Sequence, residues 1–431
     1  MRHNKVFGLL LPGLVLSTVG GVMAQDATVP VYALTGTGGV TAFNLPAFDS
    51  GVLGHSIDDP LFGGMLGANF TAGIGQAGDL DVLLSFGVFG AFASGATGSW
   101  TDTFDASDSG VVVTGLSTPD AGSITLDPGG PTDVTVNGAN GANITMGVLG
   151  PDSNVAAVSP DAPGFINGWG TAGAGGEAAY GAIADESGGI FVGAGEIDGL
   201  AITTEVSRSV FYGGADLTLG LAGNKHGDTG FVVYGGPSYR GLRQDMTTAM
   251  TIDVPEVGAS VLTHPEFGIS VDDTLTSHYF GGVLGGNVSF NTSPGMLLTL
   301  GAEGGLYNVR SSWDGRDTYS TCCGDVTTPL ATTSPELTVM GPLLEDDLED
   351  AVAFALRGNA ALSWAVDESR TFTLGGNVEY LSRVATVSHD DFVTTGNSDD
   401  WTNGDPVAAS TTFGWGEMWN YGITASLTGH F

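Results

Sequence analysis

The chain has 431 residues, of which 11 are Lys or Arg and 47 are Asp or Glu, so its formal net charge is −36. Nucleic-acid binding and attachment to an anionic membrane surface both need clustered basic residues, so this balance excludes them. Only 13% of the residues are charged and 42% are hydrophobic, which is too apolar for an acidic disordered polymer.

The first 24 residues have the three parts of a secretory signal peptide. Arg2 and Lys5 form a basic start, residues 6–16 form an apolar core, and Ala24 precedes Gln25 at a small-residue cleavage site. The apolar core is shorter than the roughly 20 residues that a membrane-spanning helix needs. Cleavage here removes two of the 11 basic residues and leaves nine.

Segments with an apolar residue or Gly at every second position recur along the rest of the chain, as expected of strands with one apolar face. They are residues 62–74, 82–92, 211–221, 231–239, 280–290, 298–306, 354–364, 372–380 and 419–431. Their aromatic residues predict two girdles, one of Phe231, Phe290, Trp364, Phe372 and Phe431, the other of Tyr239, Phe280, Phe354, Tyr380, Phe211 and Trp419. A spacing of about ten residues between girdles matches the ~25 Å apolar band of a membrane barrel. A soluble β-sandwich is the alternative.

The links between these segments alternate in length. Short links lie at 75–81, 223–229, 291–295 and 367–369, whereas residues 94–204, 245–276, 314–350 and 387–411 form long links. Membrane barrels have short periplasmic turns and long extracellular loops, so this sorting favours a barrel over a sandwich. An upward strand within 28–44 completes ten strands. Eight or twelve are the alternatives, because 110–116, 123–126 and 132–136 have strand character and either add strands or form an outward extension.

Charged residues alternate with the apolar positions and are therefore expected to face the lumen. They are Arg208, Asp216, Arg240, Glu303, Arg357, Glu379 and Arg383. A charge facing lipid would cost about 2–4 kcal/mol at the membrane midplane, whereas an inward charge can pair. The mixed signs predict a salt-bridge cluster that fills a narrow lumen. A selectivity constriction in a narrow pore is the alternative.

The predicted loops carry weaker signals for cysteine and metal chemistry. The adjacent Cys322 and Cys323 predict a vicinal disulfide in an oxidising envelope. Metal binding, redox chemistry, pairing between chains and free thiols are the alternatives. Residues 94–204 hold no Lys or Arg and many Asp, and Glu345, Asp346 and Asp347 begin another acidic run. We interpret both as solvated surface, with loose Ca²⁺ or Mg²⁺ association as the alternative, and expect no other cofactor.

Two histidines near the predicted outer rim are candidates for catalysis. His389 precedes Asp390 and Asp391, and His278 begins a strand at the same end. No serine nucleophile motif accompanies either histidine, so an enzyme is not expected.

The last segment alternates without interruption from Trp419 to the terminal Phe431, through Tyr421, Ile423 and Leu427. It resembles the closing strand of bacterial outer-membrane β-barrels, whose terminal aromatic residue is part of the signal read by the barrel-assembly machinery. The resemblance implies insertion in the outer membrane of a Gram-negative bacterium, with its lipid and lipopolysaccharide as partners. The resemblance covers architecture and targeting. The expected protein is similar to the small OmpA-type membrane domains, but without a peptidoglycan-binding domain after the barrel.

We therefore predict an all-β protein: a signal peptide at 1–24, then one transmembrane antiparallel up-and-down barrel of about ten strands over 25–431. A large acidic extracellular loop is expected at about 94–204. The first function hypothesis is a surface protein with a narrow or plugged lumen and a structural or interaction role. A narrow cation-preferring porin is the second, and a hydrolase at the barrel rim is the third. The oligomeric state is left open.

Overall fold

The computed structural model describes residues 32–105, 108, 110–119, 123–127, 133–138, 143–147, 153–161, 164–173, 176–225, 229–255, 266–293, 295–322, 337–395, 401–402 and 408–431. The predicted signal peptide, its cleavage site at Ala24 and Gln25, and Cys323 lie outside these residues. No helix in the described part of the chain is long and apolar enough to cross a membrane.

Ten long strands form a closed antiparallel barrel. They are β1 (Tyr32–Asn44), β2 (Leu61–Ala77), β3 (Leu80–Thr103), β4 (Ala201–Lys225), β5 (Thr229–Asp253), β6 (Glu266–Ser293), β7 (Met296–Cys322), β8 (Leu337–Asp367), β9 (Arg370–Asp390) and β10 (Ser410–His430). Each strand pairs with its neighbours in sequence, and β1 also pairs with β10, which closes the ring. The predicted all-β, up-and-down architecture of ten strands is confirmed.

An apolar belt surrounds the outside of the barrel. Its side chains are exposed in the isolated chain, among them Leu284 at 69% and Ile423 at 63%. The aromatic residues of each predicted girdle touch across strands: Tyr380 lies 4.8 Å from Trp419 at one edge, and Trp364 lies 5.9 Å from Phe372 at the other, between ring centroids. A contiguous apolar surface of this kind is unfavourable in water and favourable in lipid.

The barrel wall continues well past the belt on one side. The links expected at 245–276 and 314–350 shrink to 254–265 and 323–336, because β5 to β8 run through most of them. In this part of the wall the chemistry of the two faces is exchanged. Leu242 and Met250 point inward and are buried, whereas Arg243 points outward and is exposed.

The connection between β1 and β2 folds into the mouth of the barrel, and we call residues 45–60 the plug. It contains two short paired strands, Phe48–Asp49 and Ser56–Ile57, and buries Phe48, Val52 and Ile57 among the inward apolar side chains of the extended wall. Gly51 has a φ of +71°, and a Cβ there would lie 2.6 Å from the carbonyl oxygen of His389. Only glycine therefore fits where the plug meets β9.

The described residues within 104–200 and 391–409 form a second layer over the mouth, which we call the cap. Its larger sheet contains Gly110–Thr114, Ser153–Asp161, Gly164–Gly173, Gly176–Asp185, Gly188–Gly195 and Val393–Thr395, and its smaller sheet contains Ser123–Asp127, Asp133–Asn137, Asn143–Gly147 and Trp401–Thr402. Apolar residues such as Ile124 and Ile183 join the two sheets. Of the two outcomes left open for the strand-like segments of 94–204, the structure shows β-structure outside the barrel.

Phe267 of β6 connects the cap to the barrel. Its ring centroid lies 6.0 Å from that of Phe165 and 5.8 Å from that of Phe191, both in the larger cap sheet. All three side chains are buried. The cap therefore covers the mouth through an apolar contact rather than standing apart from it.

Candidate functional site in the barrel lumen

Strand register brings charged residues together inside the barrel. Glu303, Arg357 and Glu379 lie directly opposite one another on β7, β8 and β9. All three occupy inward positions, because their sequence neighbours Gly304, Leu356 and Tyr380 face outward on the belt. The site therefore lies close to the girdle that contains Tyr380 and Trp419.

Five of the seven predicted lumen charges form one connected network. Arg240 donates two parallel hydrogen bonds to Asp216, at 2.7 Å and 3.1 Å. Arg357 Nη2 donates to Glu379 at 3.0 Å, and its Nη1 lies 3.5 Å from Glu303. Arg240 Nη2 completes the connection at 3.9 Å from the same oxygen of Glu303. We call these five residues the lumen network.

Aromatic residues pack around the lumen network and complete its hydrogen bonds. Tyr212 donates to Glu379 at 3.0 Å, and Tyr234 donates to Glu303 at 3.1 Å. The ring of Phe89 lies 4.5 Å from the Arg240 guanidinium carbon and 5.5 Å from that of Arg357. Each network side chain is 15% exposed or less. Side chains rather than a water channel fill this level of the lumen.

The half of the lumen opposite the cap is lined by small hydroxyl side chains that pair across strands. Buried pairs join Thr35 to Thr428, Thr37 to Ser426, Thr71 to Ser85, Ser289 to Thr299 and Ser363 to Thr373, at 2.8–3.0 Å. At the level of the belt, the wall therefore has a polar inner face and an apolar outer face.

Arg208 lies apart from the lumen network. On the external part of β4 it donates to the carbonyl oxygen of Pro46 at 2.6 Å and to Gln244. Burial lowers the pKa of Arg208 to about 10, so the guanidinium remains charged at neutral pH. Its contacts fix the plug to the wall. It is thus a residue of the plug rather than of the predicted cluster.

The inward orientation predicted for Arg383 is wrong. Its side chain is exposed, because β9 has a bulge between Leu381 and Val384 opposite β10. A bulge adds one residue to a strand and so disrupts the alternation from which the orientation was inferred.

The two histidine candidates occupy different environments. His389 is fully buried, with Nε2 2.9 Å from Asp273, which also accepts from Trp313 at 2.8 Å. A substrate has no access to that imidazole. His278 lies on the outer wall, with Nδ1 2.8 Å from the hydroxyl of Tyr239. Neither environment provides a nucleophile beside an accessible base.

The remaining candidates are placed as follows. Glu345, Asp346 and Asp347 are exposed and lie within β8 rather than in a loop. Among the described residues no group of three or more His, Cys, Asp or Glu could hold a metal ion. Cys322 ends β7, and the predicted disulfide lies outside the described residues.

Sequence reasoning missed a polar cluster inside the mouth, made by Asp273, Asp317 and Tyr319. The signal was present, since Phe267, Ile269 and Val271 alternate and place Asp273 on the same face. The other face of that stretch is polar, so in sequence it resembles a loop.

No protein-family model and no curated protein matches the chain. Among solved structures, the outer membrane protease OmpT from Escherichia coli is 8% identical over 95% of this chain and 99% of its own, with a TM-score of 0.31. The Pseudomonas putida toluene transporter TodX is 8% identical over 94% and 90%, at 0.22, and a Pseudomonas aeruginosa FadL homologue is 7% identical over 94% and 90%, at 0.20. Bacterial outer-membrane β-barrel proteins are thus its structural neighbours, at a similarity too low to transfer a residue or an activity.

Proposed function

We propose that the chain is an outer-membrane β-barrel with a closed lumen, which presents its cap as an interaction surface outside the cell. The lumen network carries this proposal, because its buried, mutually paired charges occupy the space through which a solute would pass. The plug and the cap add two further layers above it.

The apolar belt and the last strand support the membrane location. Tyr421, Ile423, Leu427 and Phe431 all project outward from the final strand and are 48–78% exposed, as lipid contact would require. Outer-membrane lipid and lipopolysaccharide are the partners this surface fits, and the barrel-assembly machinery would act on the same strand. In this orientation the cap lies outside the cell.

A narrow cation-preferring pore is the second candidate. The lumen network contains three carboxylates and two guanidinium groups, so an open form would attract cations in preference to anions. The fully buried His389 offers no such support to a rim hydrolase.

Current across a planar bilayer tests the closed lumen. Purified full-length protein should give no steady nanosiemens-scale conductance, because side chains fill the lumen at three levels. Arg370→Gln, at the exposed start of β9, is a control that leaves the lumen unchanged. A stable conductance with cation preference would instead establish the pore, and anion preference would also contradict the electrostatic argument.

A further inference from the structure

A polar contact that includes a buried carboxyl group holds the cap to the barrel inside the mouth. Asp317 and Tyr319 project inward from β7, on the part of the wall beyond the belt, and meet the cap backbone at Ser117. Ser117 N donates to Asp317 Oδ2 at 3.2 Å. The Tyr319 hydroxyl lies 2.7 Å from the same oxygen and 3.1 Å from the carbonyl oxygen of Ser117.

The cap backbone lies directly on the carboxylate. A Cβ on Gly115 would meet Asp317 Oδ2 at 2.6 Å, so there is no room for a side chain or a water molecule between them. Gly189, on a neighbouring cap strand, donates its N–H to the carbonyl oxygen of Ser117 at 3.2 Å and so fixes the same segment from above. As a result Asp317 is only 1% exposed.

We propose that this contact is a proton-controlled latch, which holds the cap on the barrel more tightly in acid than at neutral pH. Asp317 Oδ2 receives the donors described above, whereas Oδ1 is buried without a hydrogen-bond partner among the described residues. A carboxylate in this setting is poorly solvated, so its charged form opposes closure and its neutral form permits it.

Burial raises the pKa of the Asp317 carboxyl from 3.8 to about 6. Hydrogen bonds from Tyr319, Leu116 and Ser117 act in the opposite direction, and the charge of Asp273 adds to the rise. When the cap separates from the barrel, water reaches the Asp317 carboxylate, and the pKa of this group returns towards 3.8. The docked state therefore binds more protons between these two values, so docking is strongest below about pH 4 and weakens as pH rises through 6.

Other titratable groups around Asp317 come from three elements. On β6, Asp273 is paired with His389 of β9 at 2.9 Å. Burial raises the pKa of the Tyr319 hydroxyl, and the negative charge of Asp185 in the cap contributes to this rise. The facing residue of β8 is Gly341, which carries no charge. Asp317 is the carboxyl group of this cluster that accepts a hydrogen bond from the cap backbone, so removing its titration isolates its contribution.

Hydrogen exchange of full-length protein in detergent micelles tests the latch. Protection factors for residues 110–117, corrected for intrinsic exchange at each pH, should fall as pH rises from 4 to 8. We expect most of this fall between pH 4 and 6, with a midpoint near pH 5 on a logarithmic scale, a plateau above pH 6 and a total change of about a hundredfold, as the displacement of the pKa requires. The pairs between β8 and β9 in the belt serve as the internal reference. Protection that does not change with pH would overturn the proposal.

Two variants assign the effect to the carboxylate. Asp317→Asn keeps the shape and removes the titration, so its cap protection should be independent of pH. If it retains the wild-type dependence, another group, such as His389, is responsible and the latch is rejected. Tyr319→Phe removes a donor that lowers the pKa, so its midpoint should move to higher pH. An unchanged or lower midpoint would contradict the proposal even if Asp317→Asn does not fold.

Discussion

At the scale of single residues, each buried charge of the lumen network depends on an oppositely charged partner. Arg240 and Arg357 share three carboxylates, and each guanidinium also faces the ring of Phe89. Removing one member of a buried ion pair leaves an uncompensated charge, which is more costly than losing both. The network should therefore respond sharply to single substitutions.

Glu379→Ala should destabilise the barrel by about 3–5 kcal/mol, the usual effect of breaking a buried ion pair. Glu379 accepts from both Arg357 and Tyr212, so two donors lose their partner. Urea unfolding in micelles, followed by the heat-dependent shift in gel mobility, measures the change. Arg370→Gln, which removes an exposed ion pair, should leave the transition where it is. Equal stability of the two variants would show that the buried contacts of Glu379 do not stabilise the barrel.

At the scale of strands, the apolar alternation predicted the part of each strand that lies in the belt. Residues 231–239 and 280–290 fall within β5 and β6 as expected. The rest of these strands was missed because the two faces exchange character beyond Arg240. There the outward residues become polar, as Arg243 and Asp245 show, and a polar stretch resembles a loop.

Two other features could not be predicted from local pattern. The bulge in β9 turns Arg383 outward, and its position depends on how β9 pairs with β10 rather than on β9 alone. The larger cap sheet joins Val393–Thr395 to Gly110–Thr114, which are about 280 residues apart in sequence. Contacts of that kind have no local sequence signal. The five members of the lumen network were predictable, because they follow from alternation alone.

Leu427→Asp should prevent stable assembly, because it places a carboxylate on the outer face of β10 within the belt. Leu427 is 52% exposed there, beside Phe372 of β9. Thr412→Asp, on the exposed face of the same strand beyond the belt, is the matched control and should assemble normally. Outer-membrane levels and heat-modifiable gel migration measure both. Normal assembly of Leu427→Asp would mean that this face does not contact lipid.

At the scale of the whole molecule, the two ends of the barrel differ in construction. One end has tight turns, such as Gly78 between β2 and β3 and residues 368–369 between β8 and β9. The other end carries the plug, the cap and the links at 254–265 and 323–336. For the outer-membrane barrel proposed above, this asymmetry implies an orientation with the tight turns in the periplasm.

A protease site inserted in the 254–265 link should be cut by protease added to intact cells. The same site inserted at 368–369 should be cut only after the outer membrane is permeabilised, because a periplasmic turn is shielded. Immunoblotting of the fragments distinguishes the two. Cleavage at 368–369 in intact cells would invert the orientation and place the cap in the periplasm.

The long wall has a consequence for what can touch the protein from outside. The 25 residues of β5, tilted by about 40°, rise roughly 60 Å, of which the lipid-facing band takes only ~25 Å. In the proposed orientation, the wall would therefore hold the cap several nanometres above the lipid headgroups. A bulky ligand could then reach the cap even where a surface polymer covers the part of the wall nearest the lipid.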